Sequence, residues 1–239
     1  MTQHRGTPTI AQVALIGLFV AALVTAQLTA SKVLAFDIPV ALPITGAQLA
    51  LPGAALAYAL TFLASDCYTE LYGKRAAQIV VNVGFALNFV VLALVWSTIA
   101  APAADPDSAG QFATVLGAST NIVLGSLLAY IISQNWDVIV FHRIREYTGS
   151  EKLWLRNIGS TASSQAIDTV VFVAVGFVVA PALLDVGMDS LGFRAALNLV
   201  IGQYLLKFAI AVLDTPIVYA IVSLVRSREG AEAGEAHVA

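Results

Sequence analysis

The stretch Ile158–Phe172, IGSTASSQAIDTVVF, opens a long apolar run with polar side chains, and its reading decides the fold. On a helix, Thr161, Gln165, Asp168 and Phe172 recur at spacings of four, three and four, so they share one face. Ser164 and Thr169 flank that stripe. A charged carboxylate deep in lipid costs about 2.5–3.5 kcal/mol on insertion scales unless it meets a partner or water. The stripe therefore reads in one of two ways: a functional site inside a membrane bundle, or a girdle of hydrogen bonds that joins helices.

Composition places the stretch in a membrane. Of 239 residues, 59% are hydrophobic and only 11% charged, against about 25% charged in a soluble domain. Six apolar runs each approach the roughly 20 residues that a spanning helix needs. They are Ile10–Leu34, Leu49–Ser65, Ala76–Ala100, Val115–Phe141, Ile158–Leu184 and Ala195–Val225. The expected fold is all-α: a polytopic membrane helical bundle of six transmembrane helices over residues 1–228, followed by a disordered cytoplasmic tail at 229–239. Ile10–Leu34 is too long for a cleavable signal and reads as a retained span. The second run is short and follows Pro39, Pro43 and Pro52, so it begins either as a partly unwound segment or as a helix with Pro52 in its first turn. The loop Ala101–Gly110, APAADPDSAG, reads as a connector.

Charge placement orients the bundle. Arg5, Lys74, Arg75, Arg143, Arg145, Lys152, Arg156, Arg226 and Arg228 all fall on one side of a six-span arrangement. The opposite loops carry Asp37, Asp105, Asp107, Asp185 and Asp189, with Arg194 as their single cation. By the positive-inside rule both termini are cytoplasmic, in a multi-pass protein of the cell membrane. Trp96, Trp136, Trp154 and Tyr147 fall near span ends, as interfacial anchors do.

Other polar groups share the membrane with Asp168. Lys207 has apolar sequence on both sides, stands four after Gln203 and seven before Asp214, and needs a carboxylate, for which Asp168 is the natural partner. Pro216 removes a backbone hydrogen bond in the same run. Asp66, Glu70 and Lys74 lie at spacing four in SDCYTELYGKR, with Gly73 as a helix terminator. Asp66 follows LTFLAS directly and either lines a cavity or sits at the interface. Asp137, in SQNWDVIVFHRIREY, either belongs to a buried polar cluster or pairs with Arg143 or Arg145. Ala22, Ala26 and Ala30 form a small-residue face on the first run that lets another helix approach. Amides and acids beside aromatic rings suit a flat polar heterocycle better than an inorganic ion.

Enzyme signatures are missing. There is no HExxH, Walker or GxSxG sequence, Cys67 is the single cysteine, and His4, His142 and His237 form no cluster. Neither a metal nor a cofactor is expected, and transport is favoured over chemistry.

The chain resembles the queuosine precursor transporter family, also called the vitamin uptake transporter family, over nearly its whole length. The resemblance rests on FLASDCYTELYGKRAA (Phe62–Ala77), WDVIVFHRIR (Trp136–Arg145) and WLRNIGSTASSQAIDTVVF (Trp154–Phe172), with Lys207 ahead of Pro216 and Tyr219. It implies a six-helix importer of 7-deazaguanine bases for tRNA modification. Asp66, Glu70, Asp137, Gln165, Asp168, Thr169 and Lys207 match the family's motif positions. Gln27 departs from the pattern, standing where an Asn is usual. The family fold is similar to the membrane capture subunits of energy-coupling factor transporters, and the alanine face would suit an energising partner. In the expected mechanism Asp168 and Gln165 bind the base's amine and ring N–H edge, and Lys207 orients Asp168. Asp66 or Glu70 serves as a cytoplasmic gate or proton site, and Phe172 or Phe208 stacks on the ring. The expected partners are the 7-deazaguanine and the lipid bilayer, with no nucleic acid; a homo-oligomer or an energising partner stays open. Secondary transport ranks first, ahead of an ATP-driven capture subunit.

Overall fold

Residues 7–148 and 153–236 are described by a computed structural model, and they are mostly helical. Helix α1 (Ile10–Thr29) starts at a capping box. Thr9 Oγ1 accepts from Gln12 N at 3.2 Å and Gln12 Oε1 accepts from Thr9 N at 2.9 Å, which satisfies two amides that a helix start leaves free. The alanine face of α1 is covered within the chain. Ala26 and Ala30 are fully buried in one cluster with Ala54 and Ala57, at the start of α2 (Ala55–Tyr72). Gly53 permits this approach, since a Cβ there would collide with the carbonyl oxygen of Thr29.

Between α1 and α2 the all-α expectation gives way to a hairpin. Strand β1 (Val33–Leu42) pairs antiparallel with β2 (Gly46–Pro52), with Ala35 opposite Ala50 and Asp37 opposite Gln48. Pro39 and Pro43, which resist helix, lie in and just after β1, and Gly46 takes the positive φ of 71° at the turn. Leu49–Pro52 is therefore strand, not the unwound or Pro-capped helix start expected for the second run. The free edge of β2 is met by Asn198, whose Oδ1 accepts from Ala50 N at 3.1 Å and whose Nδ2 donates to Gln48 O at 3.4 Å.

Gly73, at φ 87°, ends α2 and precedes α3 (Lys74–Ala100). Glu70 and Lys74 thus stand on different helices, and the shared face expected for Asp66, Glu70 and Lys74 does not form. The connector that follows α3 contains helix α4 (Pro106–Gly117), because Asp105 caps it and Pro106 occupies its first turn. The hydrogen bond from the Ser108 hydroxyl, then the amides of Ser108 and Asp107, hold the Asp105 carboxyl below its ordinary range. Helix α5 (Ser119–Thr148) runs against α6 (Leu153–Val173) and the turn beyond it. Gly125 makes the closeness feasible, since a Cβ on it would lie 2.9 Å from Gly176 Cα. Trp136 Nε1 donates across this pair to Ser163 Oγ at 3.2 Å, and Trp96 Nε1 ties α3 to Thr120 at 2.9 Å.

After α6 the chain widens into a π-helix, Ala174–Val179, and resumes as α7 (Ala180–Leu184). Pro181 is the physical reason. It brings no amide to the preceding turn, so Phe177 O accepts from Leu191 N at 2.8 Å and Val178 O from Ser190 Oγ at 2.8 Å. Helix α8 (Phe193–Ala236) then runs unbroken with Pro216 inside it. It passes Glu229, where a disordered tail was expected, since Ala and Glu carry it on as helix formers; residues 237–239 of that tail lie outside the described residues.

Five helical stretches among the described residues are long and apolar enough to cross a membrane: Ile10–Thr29, Lys74–Ala100, Pro106–Thr148, Ile158–Leu184 and Phe193–Arg228. The 18-residue α2, about 27 Å long, is the remaining long helix and carries Asp66 and Glu70.

Candidate functional site

Helices α2, α5, α6 and α8 converge on one ion pair. Lys207 Nζ of α8 donates to Asp168 Oδ2 of α6 at 2.6 Å, and Ser133 Oγ of α5 donates to Asp168 Oδ1 at 3.3 Å. Both carboxylate oxygens are engaged, and the pair cancels its own charge where water is scarce. The side chains keep 15% exposure for Lys207 and 26% for Asp168, because both border open space.

That space is a cavity of about 230 Å³ whose polar wall is Gln165, Asp168, Lys207, Gln203, Ser133 and Gln134. Aromatic rings close the rest. Phe85 and Tyr130 are stacked with centroids 4.3 Å apart, and Phe172 meets Tyr58 edge-on at 6.3 Å and Phe177 at 5.6 Å. Gln203 is 4% exposed, yet its Oε1 has no hydrogen-bond partner among the described residues. A buried acceptor left without a partner beside the chamber is suited to an N–H brought by a bound solute. The volume is below the roughly 300 Å³ at which drug-sized pockets begin, so the chamber fits a small solute.

Two further cavities continue from it. A larger one of about 630 Å³ shares Phe62, Gln165 and Lys207 with the first and adds Thr161, Tyr204, Phe208, Asp66 and Asp214. A third, of about 210 Å³, shares Asp66, Ala211 and Asp214 with the second and reaches Glu70 and Tyr219. Along α2 the row runs from Tyr58 to Glu70, twelve residues or about 18 Å. It ends where Arg226 Nη2 donates to Glu70 O at 3.0 Å.

The structure thus brings together Gln165, Asp168, Phe172 and Lys207, with Thr161 at the edge and Phe208 on the wall of the larger cavity. Asp66 and Glu70 stand along the row, nearer its far end. Thr169 and Asp137 border none of these three cavities. Thr169 is fully buried and its hydroxyl donates to Gln165 O at 2.9 Å; Asp137 accepts from Ser164 Oγ at 3.3 Å, while Arg143 pairs with Glu146 at 3.6 Å. Gln27 is 1% exposed and also off the cavities, to which α1 contributes Phe19 and Leu23 instead. Sequence reasoning reached the polar stretch around Gln134 on α5 but missed the rest of that wall. Its signal was present, because Ser126, Tyr130 and Ser133 recur at spacings of four and three, the same stripe pattern as on α6.

A helical bundle with several membrane-length helices and, between them, a row of mostly apolar chambers that carry a few polar groups is the build of a solute transporter. The family model described as "Putative vitamin uptake transporter" matches residues 52–221, which include all the chamber residues from α2 to α8. The "Probable queuosine precursor transporter" of Bacillus subtilis (strain 168) is 37% identical over 180 residues, covering 72% of this chain and 72% of that protein. No solved structure matches the chain. The chain belongs to the vitamin uptake transporter family, and it is a multi-pass membrane transporter, not an enzyme.

Proposed function

We propose that this transporter imports queuosine precursors, 7-deazaguanine bases such as 7-cyano-7-deazaguanine, as a secondary transporter. The observation that carries the reading is the Lys207–Asp168 pair on the wall of a small chamber lined by amides and rings. A deazaguanine presents an amine, ring N–H groups and a carbonyl on one edge, with two flat faces. Asp168 Oδ1 and Gln165 accept from the amine and ring N–H, and the free Gln203 Oε1 takes a further N–H. Lys207 keeps Asp168 charged and has donors left for the carbonyl. Phe62 and Tyr130 cover the ring faces, and Phe172 forms the back wall. The name of the Bacillus subtilis relative supports the same cargo.

Helix α2 is the sixth span in this reading. It turns Asp66 and Glu70 toward the cavities, so it needs less apolar surface than a lipid-facing helix. Lys74 and Arg75 follow the end of α2 and Arg226 meets Glu70 there, which supports a cytoplasmic position for that end and for both termini. The chamber then faces the cytoplasm, with Phe172, Phe177 and the hairpin on its outer side. The capture-subunit alternative loses one of its supports, because the alanine face that would receive an energising partner is already covered by α2.

The test uses host cells that neither make deazaguanines nor carry their own importer. With a limiting supply of 7-cyano-7-deazaguanine, expression of the intact protein is expected to restore queuosine in tRNA, and Asp168→Asn to abolish it at equal membrane abundance. Normal queuosine in the Asp168→Asn cells would sink the site assignment. Its absence in cells that express the intact protein would sink the cargo.

A further inference from the structure

Asp168 has its cation, but the acids lower in the row do not. Asp66 of α2 and Asp214 of α8 border the same two cavities, at the junction between the larger one and the cytoplasm-side one. Their charges repel across that junction, and Glu70 adds to the repulsion at Asp66. Asp214 is only 9% exposed, and its Oδ2 is buried with no hydrogen-bond partner among the described residues. The other titratable and charged groups that face the junction do not neutralise it. Glu70 on α2 is another acid, Cys67 on α2 and Tyr204 and Tyr219 on α8 are weak acids, and Asp168 on α6 is taken by Lys207. Lys207 is thus committed to Asp168, and Arg226 keeps its charge at the far end of the third cavity, where it donates to the backbone carbonyl of Glu70. Asp66 is exposed at this junction and Asp214 is nine-tenths buried beside it, so a small cation that enters along the cavities meets two carboxylates, one with an oxygen that has no partner among the described residues.

We propose that Asp66 and Asp214 form the coupling-ion site of this transporter, binding one monovalent cation, a proton or a sodium ion, on the cytoplasmic side of the cargo chamber. The inference rests on the transport reading above and adds its energy source. An occupied site lets α2 and α8 close against each other at the junction, which shuts the inner path. Without the ion, repulsion between the two carboxylates holds the helices apart and keeps that path open. Asp66 and Asp214 touch the path, not the cargo, so the ion sets the direction of transport without entering cargo recognition.

The test reconstitutes the full chain into liposomes and follows radiolabelled 7-cyano-7-deazaguanine in two modes. Counterflow exchanges labelled for unlabelled base with no ion gradient. Accumulation is driven either by a pH gradient without sodium or by a sodium gradient at equal pH. Wild type is expected to do both, and the gradient that drives accumulation identifies the ion. D66N and D214N are each expected to retain counterflow and lose accumulation. The proposal is overturned if the variants accumulate base like wild type, if they lose counterflow as well, or if neither gradient drives wild-type accumulation. Absence of wild-type counterflow sinks the cargo reading instead, and the ion site is then decided on detergent-purified protein. Greater sodium binding or proton uptake by wild type than by D66N upholds it; equal values overturn it.

Discussion

Replacing Lys207 with Met keeps an unbranched chain only one heavy atom shorter and removes the charge, leaving Asp168 with Ser133 alone. Removing one partner of a fully buried pair costs about 3–5 kcal/mol. Here the carboxylate keeps 26% exposure and borders a cavity, so water offsets part of that loss. A charged hydrogen bond in such a setting is worth about 2 kcal/mol. For a chain of this size each kcal/mol moves Tm by about 2–4 °C, so K207M is expected to melt about 4–8 °C below wild type. The assay is thermal unfolding in detergent micelles at one fixed scan rate, which keeps the comparison valid if unfolding is irreversible. The sharper result is the double variant. If the loss comes from an orphaned carboxylate, D168N/K207M recovers most of the stability, because no buried charge remains. D168N alone leaves the ammonium orphaned in turn, on the border of the larger cavity. A double variant that loses the sum of the two single losses would refute the reasoning, as would K207M melting with wild type.

Two other substitutions probe the frame around the chamber. Gly125→Ala places a methyl 2.9 Å from Gly176 Cα and 3.0 Å from Phe172 O, and overpacking of this kind costs about 1–3 kcal/mol. It is expected to lower Tm and to weaken cargo binding through displacement of Phe172, both measurable on purified protein by melting and by tracer binding. Asn198→Ala removes the two hydrogen bonds that hold the edge of β2, worth about 1 kcal/mol each at most. Amide exchange at Ala50 is expected to accelerate in that variant while exchange in the middle of α5 stays unchanged.

The sequence carried the chemistry of the chamber further than its walls. Lys207 and Asp168 were legible as a pair because a lysine amid apolar residues and a carboxylate on a polar stripe each need the other. Gln165 and Phe172 followed from the same stripe. The hairpin was not legible, since LAFDIPVAL and AQLALP are apolar enough to read as span ends, and only tertiary contact with Asn198 settles their edge. The apparent Asp66–Glu70–Lys74 face came from carrying helical periodicity across Gly73, where the backbone turns instead. Thr169 and Asp137 matched family motif positions, yet the side chains of this chain spend their hydrogen bonds on Gln165 O and Ser164. The importance of Asp214 was hidden for another reason. Its meaning lies in facing Asp66, and no spacing within one helix reports a meeting between two.

The π-helical turn after Val173 has a consequence for how the chamber wall tolerates change. In a continuous α-helix, residues five apart point about 140° away from each other around the axis. Phe172 and Phe177 are five apart, yet their rings meet at 5.6 Å, because the widened turn carries one residue more and swings the second ring back beside the first. The aromatic back wall is therefore a matter of counting. Deleting a single residue from Ala174–Val179 would let the helix relax into ordinary winding and send Phe177 to a different neighbour. A length change of one residue here is a change in the packing behind Phe172.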